Sequence, residues 1–196
     1  MMLSMRLPST RAPRKDALRN RERVLGAALE LVRRDGEGVP MAQIAELAGV
    51  GVGTVYRHFP TREDLLAELV YRSFGIALEN AQAAASHPGS ALEGVRAFFD
   101  ATLRDRDRFL LPAHGGPRIF TPAIRKRQKD IRTALGELLE RGQATRELRP
   151  DLTPEDLIVA ASLLSRPLPV PGDWDVIAHR QIDLIIHGLT PSCSAD

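Results

Sequence analysis

A single cysteine, Cys193, leaves no partner for an intramolecular disulfide and no basis for a thiolate metal cluster. No apolar run approaches the roughly 20 residues a helix needs to cross a bilayer, so no membrane span is expected. Met1 to Thr10 contains Arg6 but no apolar stretch of secretory length, and the chain is expected to reside in the reducing cytoplasm. Aromatic residues make up only 5% of the sequence, and Phe74, Phe98, Phe99 and Phe120 read most simply as core, the alternative being that some of them line a pocket. The histidines 87, 114, 179 and 187 form no short ligand pattern on one helical face, so neither a metal site nor a cofactor is expected. A nucleophile elbow, a phosphate-cradling glycine loop and a plausible acid pair are all missing, which argues against an enzyme.

What is present is unevenly distributed. The net charge is only +2, yet residues 1 to 62 hold eleven Lys/Arg against six Asp/Glu, net +5, and the remainder carries −3. A basic N-terminal end on a nearly neutral chain is a candidate polyanion-binding face. Hydrophobic periodicity is helical throughout, with no alternating strand pattern of convincing length, and an all-α chain is expected.

Residues 1 to 15 are Ser/Pro/Arg-rich and predict a flexible basic arm, with Asp16 capping a first helix. In that helix Val24, Leu25, Ala28, Leu31 and Val32 share one face, Arg19, Arg23, Arg33 and Arg34 lie on the other, and Gly36 ends it. Pro40 suits the first turn of a second, short helix that Gly49 closes. A third helix is expected from Gly51 to Phe59, and Thr61 with Asp64 caps a long fourth through about Ala85. Further helices are expected near 90–106, 122–142, 153–165 and 173–189. Residues 111 to 121 fit a short helix or a loop, and prolines 167, 169 and 171 break the chain before the last helix.

Two short helices joined by a tight turn need a small residue at their crossing and buried residues to hold the angle. Ala45 is the small residue, Gly49 makes the turn, and Ile44, Ala48, Val50 and Val55 are spaced as the inner face. This is helix-turn-helix chemistry, in which the second helix presents its N-terminal residues to a DNA major groove.

The stretch Ile44-Ala45-Glu46-Leu47-Ala48-Gly49-Val50-Gly51-Val52-Gly53-Thr54-Val55-Tyr56-Arg57-His58-Phe59, then Pro60 and Arg62-Glu63-Asp64-Leu65-Leu66, resembles the signature of the TetR family. With Arg23-Val24-Leu25 and Ala27-Ala28 upstream, the resemblance spans about residues 19 to 70. It implies a helix-turn-helix DNA-binding domain over residues 16–66, with its motif at about 41–60. A larger helical effector-binding and dimerisation domain over 67–190 and a disordered tail at 191–196 would follow.

The resemblance places Tyr56 and His58 on phosphates and Arg62 at a backbone contact. Thr54 can give a hydroxyl to a phosphate or a base edge, and Gly53 allows the helix to approach DNA closely. Two departures stand out. Gly51-Val52 replaces the common Ser-Lys, exchanging a cap and a cation for an apolar group able to touch a thymine methyl, and Val39-Pro40 stands where a hydroxyl residue is often the phosphate contact. Gln43 is expected to read adenine. Arg57 fits a guanine contact, a phosphate contact or a solvated position.

The family keeps its effector pocket among its middle helices, and Phe98, Thr102 and His114 are the residues expected to line it. The last two helices carry broad apolar faces. Leu157, Ala161 and Leu164, then Trp174, Ile177, Leu184 and Ile185, are expected to pair across a homodimer's four-helix bundle, the alternative being an ordinary monomeric core. The expected partners are therefore double-stranded operator DNA, a second copy and a small-molecule effector. The expected function is a sequence-specific regulator, a repressor released by its effector. The competing reading is an architectural protein that binds DNA with little sequence preference.

Overall fold

The computed structural model describes residues 11–112 and 115–191, and among these there are helices and no strands. The α-helices are α1 (Arg11–Asp35), α2 (Met41–Ala48), α3 (Val52–His58), α4 (Arg62–Ala85), α5 (Ala91–Arg104), α6 (Pro122–Ala144), α7 (Pro154–Leu164) and α8 (Trp174–Leu189). A 3-10 turn, Arg106–Arg108, follows α5. No helix among the described residues is long and apolar enough to cross a membrane.

The chain divides into two compact units, residues 1–69 and 70–196, and the division falls within α4. In the first unit α1 packs on α2 and α3 through Val24, Ala28, Ile44, Ala45 and Val55, all buried. Phe59 and Leu65 close the same core. Gly49 has φ +62°, the left-handed value that a β-carbon disfavours, and its N–H donates to Glu46 O while that of Val50 reaches back to Ala45 O. This double bond-off ends α2 and turns the chain into α3.

Three expectations at this end need correction. α1 begins at Arg11, so residues 11–15 are helical where an arm was expected; residues 1–10 lie outside the described residues. Alanine, arginine and lysine favour helix. Asp16 accordingly sits inside α1, where its carboxylate accepts from Arg19 Nη2 at 2.7 Å rather than capping the helix. Pro40 precedes α2 as its N-cap, with extended backbone.

Side-chain caps fix most of the other helix starts. Thr61 and Asp64 bond reciprocally at α4, with Asp64 N donating to Thr61 Oγ1 at 3.1 Å and Thr61 N to the Asp64 carboxylate at 3.0 Å. Ser90 and Glu93 do the same at α5, and Thr121 caps α6 ahead of Pro122. The second unit packs α5 against α6, α7 and α8 around Phe99, Leu103, Leu135, Leu138, Leu157 and Ile182. Gly94 lies where α5 meets its neighbours: a β-carbon there would stand 2.8 Å from both Ala84 O and Leu138 Cδ1. Residues 109–112 and 115–121 are irregular apart from single turns, and Leu110 N donates to the buried Ser73 Oγ at 2.8 Å. Between α7 and α8 the prolines 167, 169 and 171 alternate with exposed Leu168 and Val170.

The dimer-face expectation is also revised. Leu157, Ala161 and Leu164 are buried in this chain's own core, at 0, 2 and 5% exposure, and are not free to meet a partner. Trp174 and Ile185 pack against that core as well, and the Trp174 indole donates to Leu164 O at 3.0 Å. The open apolar residues of these helices are Val159 and Leu163 on α7 with Val176 and Leu184 on α8, and Leu163 and Val176 are 69 and 68% exposed. Ile177 is half-buried. Residues 192–196, with Cys193, lie outside the described residues.

Candidate nucleic-acid interface and interior cavity

In the first unit α3 presents an open face. Val52 and Tyr56 are 45 and 49% exposed, Arg57 is exposed, and Thr54 is half-buried, whereas Val55 between them is fully buried and anchors the helix. Gly51 and Gly53 flank Val52, and a β-carbon on either would meet nothing within 4 Å. The smallness of these two residues is therefore not required by the protein's own packing. Gln43 is exposed on α2, and next along that helix's outer surface stands Leu47, 48% exposed, which sequence reasoning did not single out. Among the described residues the side chains of Gln43, Tyr56 and Arg57 have no hydrogen-bond or ion-pair partner, which leaves their polar atoms available.

His58 is half-buried with its ring tilted against Phe59, centroids 6.4 Å apart. Arg62 is exposed, and its Nη1 donates to Glu37 O at 3.2 Å, so the residue also ties the start of α4 to the loop after α1. Several α1 cations are similarly engaged. Arg23 Nη2 reaches Gly49 O at 3.2 Å, Arg21 lies over Phe59 and pairs with Glu68 at 3.2 Å, and Arg34 pairs with Asp35. The Arg34 hydrogen bonds hold the Asp35 carboxyl below its ordinary range. The basic excess of this end thus overstates the charge free to meet a polyanion, and Arg23's grip on the turn has no sequence signal beyond its place in the motif.

The second unit contains a cavity of about 240 Å³. Of the residues expected to line a pocket, Phe98 and Thr102 do; His114 lies outside the described residues. Phe74 and Phe120 line it too, and Phe120, read from sequence as core, is 43% exposed. Phe109, Gln128, Arg132 and Ser162 are among the wall residues that sequence reasoning missed. They come from the irregular segment, α6 and α7, and no periodicity distinguishes a residue facing a void from one facing the core.

A helix-turn-helix whose second helix offers a bare, unpartnered face, joined to a helical unit with a largely apolar cavity, defines the class of DNA-binding regulators. Residues 24–69 match the model of bacterial regulatory proteins of the TetR family, and residues 87–191 match that of the SbtR-like transcriptional regulator C-terminal domain. The chain belongs to the TetR family of transcriptional regulators and is a DNA-binding protein.

An HTH-type transcriptional regulator of Staphylococcus aureus is 42% identical over 60 residues, 30% of this chain and 32% of that protein, so the chain spans about a third of that relative's length. A TetR transcription regulatory protein from Mycobacterium vanbaalenii aligns in structure with TM-score 0.62 at 28% identity, covering 91% of this chain and 99% of that one. AibR, solved in complex with isovaleryl coenzyme A and operator DNA, shares the fold at TM-score 0.69 and 17% identity, covering 85 and 97%. The family and these relatives are regulators, not enzymes.

Proposed function

We propose that the protein is a homodimeric repressor that binds a near-palindromic operator and releases it when a small molecule occupies the cavity. The observation that carries this reading is the α3 face, where exposed Val52, Tyr56 and Arg57 and half-buried Thr54 stand on a helix held by buried Val55 while flanking glycines leave room for DNA. Val52 supplies an apolar contact for a thymine methyl, and Gln43 and Arg57 supply bidentate pairs for adenine and guanine. Tyr56, His58, Thr54 and Arg62 are assigned to phosphates, which set register without reading sequence.

The exposed apolar residues of α7 and α8 support pairing with a second copy, since Leu163 and Val176 stand largely uncovered among the described residues. In such a dimer the two recognition helices meet half-sites one DNA turn, about 34 Å, apart or a small multiple of it. The cavity supports an effector, and AibR's complex with both a small molecule and operator DNA is a precedent for that pairing on this fold. An effector acts only by favouring a conformation with the wrong half-site separation, and about 5.5 kcal/mol of differential affinity moves occupancy from 1:99 to 99:1.

Selection of randomised duplex DNA by the purified protein at physiological salt tests this. An enriched palindrome is the expected outcome. Binding without enrichment that merely fades as salt rises would instead identify an architectural protein.

A further inference from the structure

If the cavity holds the effector proposed above, its wall also restricts that effector's chemistry. Most of the wall is aromatic or aliphatic, with Phe74, Phe98, Phe109, Phe120, Ile131 and Ile158 contributing. At about 240 Å³ it is smaller than the ~300–1,000 Å³ typical of pockets for drug-sized ligands, so one ring with a short chain suits it better than a large conjugate.

The polar groups are few and mostly committed. Thr102 Oγ1 donates its proton to Phe98 O at 2.8 Å, and Ser162 Oγ donates to Ile158 O at 2.8 Å. A hydroxyl has one proton and two lone pairs, so each of these now offers only an acceptor. Arg132, the cation of the wall, donates through Nε to Glu155 Oε1 at 2.7 Å and through Nη1 to Gln128 O at 3.2 Å. Its charge is thereby matched by a carboxylate. The Gln128 side-chain amide is uncharged and has no partner among the described residues.

The geometry points to an uncharged effector with an apolar, ring-sized body and one hydroxyl or N–H donor, a phenol or small alcohol, seated against the Thr102 and Ser162 oxygens. A carboxylate would turn its own lone pairs toward two acceptors and would have to compete with Glu155 for the guanidinium. A plain hydrocarbon would fill the space and leave both oxygens unanswered.

Three probes of nearly one shape separate these cases: 4-propylphenol, 4-propylbenzoate and propylbenzene, titrated by calorimetry into the full chain, with release of the selected operator followed in the same samples. The phenol is expected to bind about three- to tenfold more tightly than propylbenzene, the size of one net neutral hydrogen bond, and the benzoate more weakly than either. Thr102→Val and Ser162→Ala are each expected to shrink or remove the phenol's advantage while propylbenzene still binds, which shows the cavity intact. Benzoate binding as tight as the phenol's, equal binding of phenol and hydrocarbon, or no binding by any probe overturns the assignment. Phenol binding without operator release sinks the effector reading and leaves the ligand class standing. Release by the benzoate does the reverse.

Discussion

A methyl group added at Gly53 would meet nothing within 4 Å, whereas one added at Gly94 would press on Ala84 O and Leu138 Cδ1, both at 2.8 Å. The two glycines look alike in sequence, each inside a helix and each at a cost in helix propensity. At Gly94 the cost is repaid by close packing of α5 within the second unit. At Gly53 the folded chain gains nothing visible, and the missing side chain leaves α3 open to close approach, the use the proposed function makes of it. The first unit places its chemistry on its outer surface and keeps a conventional core behind it. The second unit's cavity lies next to its core, so that under the proposed function packing and ligand binding would draw on the same side chains.

Substitutions can sharpen or break this contrast. The largest expected effect is at Phe99, fully buried in the second unit. Phe99→Ala should cost about 3–5 kcal/mol in urea denaturation. A loss below about 1 kcal/mol would mean that this interior is loosely packed and that the contrast is false.

Gly94→Ala comes next, with overpacking of about 1–3 kcal/mol offset by up to about 1 kcal/mol of helix propensity. A net loss of stability with an unchanged selected operator sequence is expected, and a more stable variant would contradict the close approach. Gly53→Ala should have the smallest effect on the fold and of the opposite sign, a stabilisation below about 1 kcal/mol. Its operator affinity should nevertheless fall about tenfold, the size of one lost contact at a base edge. Unchanged affinity in a gel-shift titration would remove the case for close approach at α3.

The first unit was the more legible in sequence because its constraints are local. Gly49 needs positive φ, Ala45 needs a crossing, and Thr61 with Asp64 needs only three residues to form a cap; each stands where the spacing put it. What misled there was also local: Asp16 has the chemistry of a cap, but most of the residues just before it favour helix and α1 continues through them. The second unit's helices were legible in number and approximate extent, but their faces were not. α7 carries apolar residues on nearly every side, so Leu157, Ala161 and Leu164 and the opposing Val159 and Leu163 fit helical spacing equally well, and only the packed structure shows which set turns inward. The cavity wall was partly legible through Phe98 and Thr102. Gln128 and Ser162 were not, because an uncharged polar residue on an amphipathic helix carries no mark of what it faces.

The connection between α7 and α8 bears on the unfolded chain more than on the folded one. Prolines 167, 169 and 171 and the exposed Leu168 and Val170 between them make little core, yet each proline holds its own φ near −65° whether or not the protein is folded. The denatured ensemble therefore samples fewer shapes across this link, and less freedom is surrendered when α7 and α8 are brought together. A stretch that adds almost nothing to the buried surface still favours the native state, through the disorder it denies to the alternative.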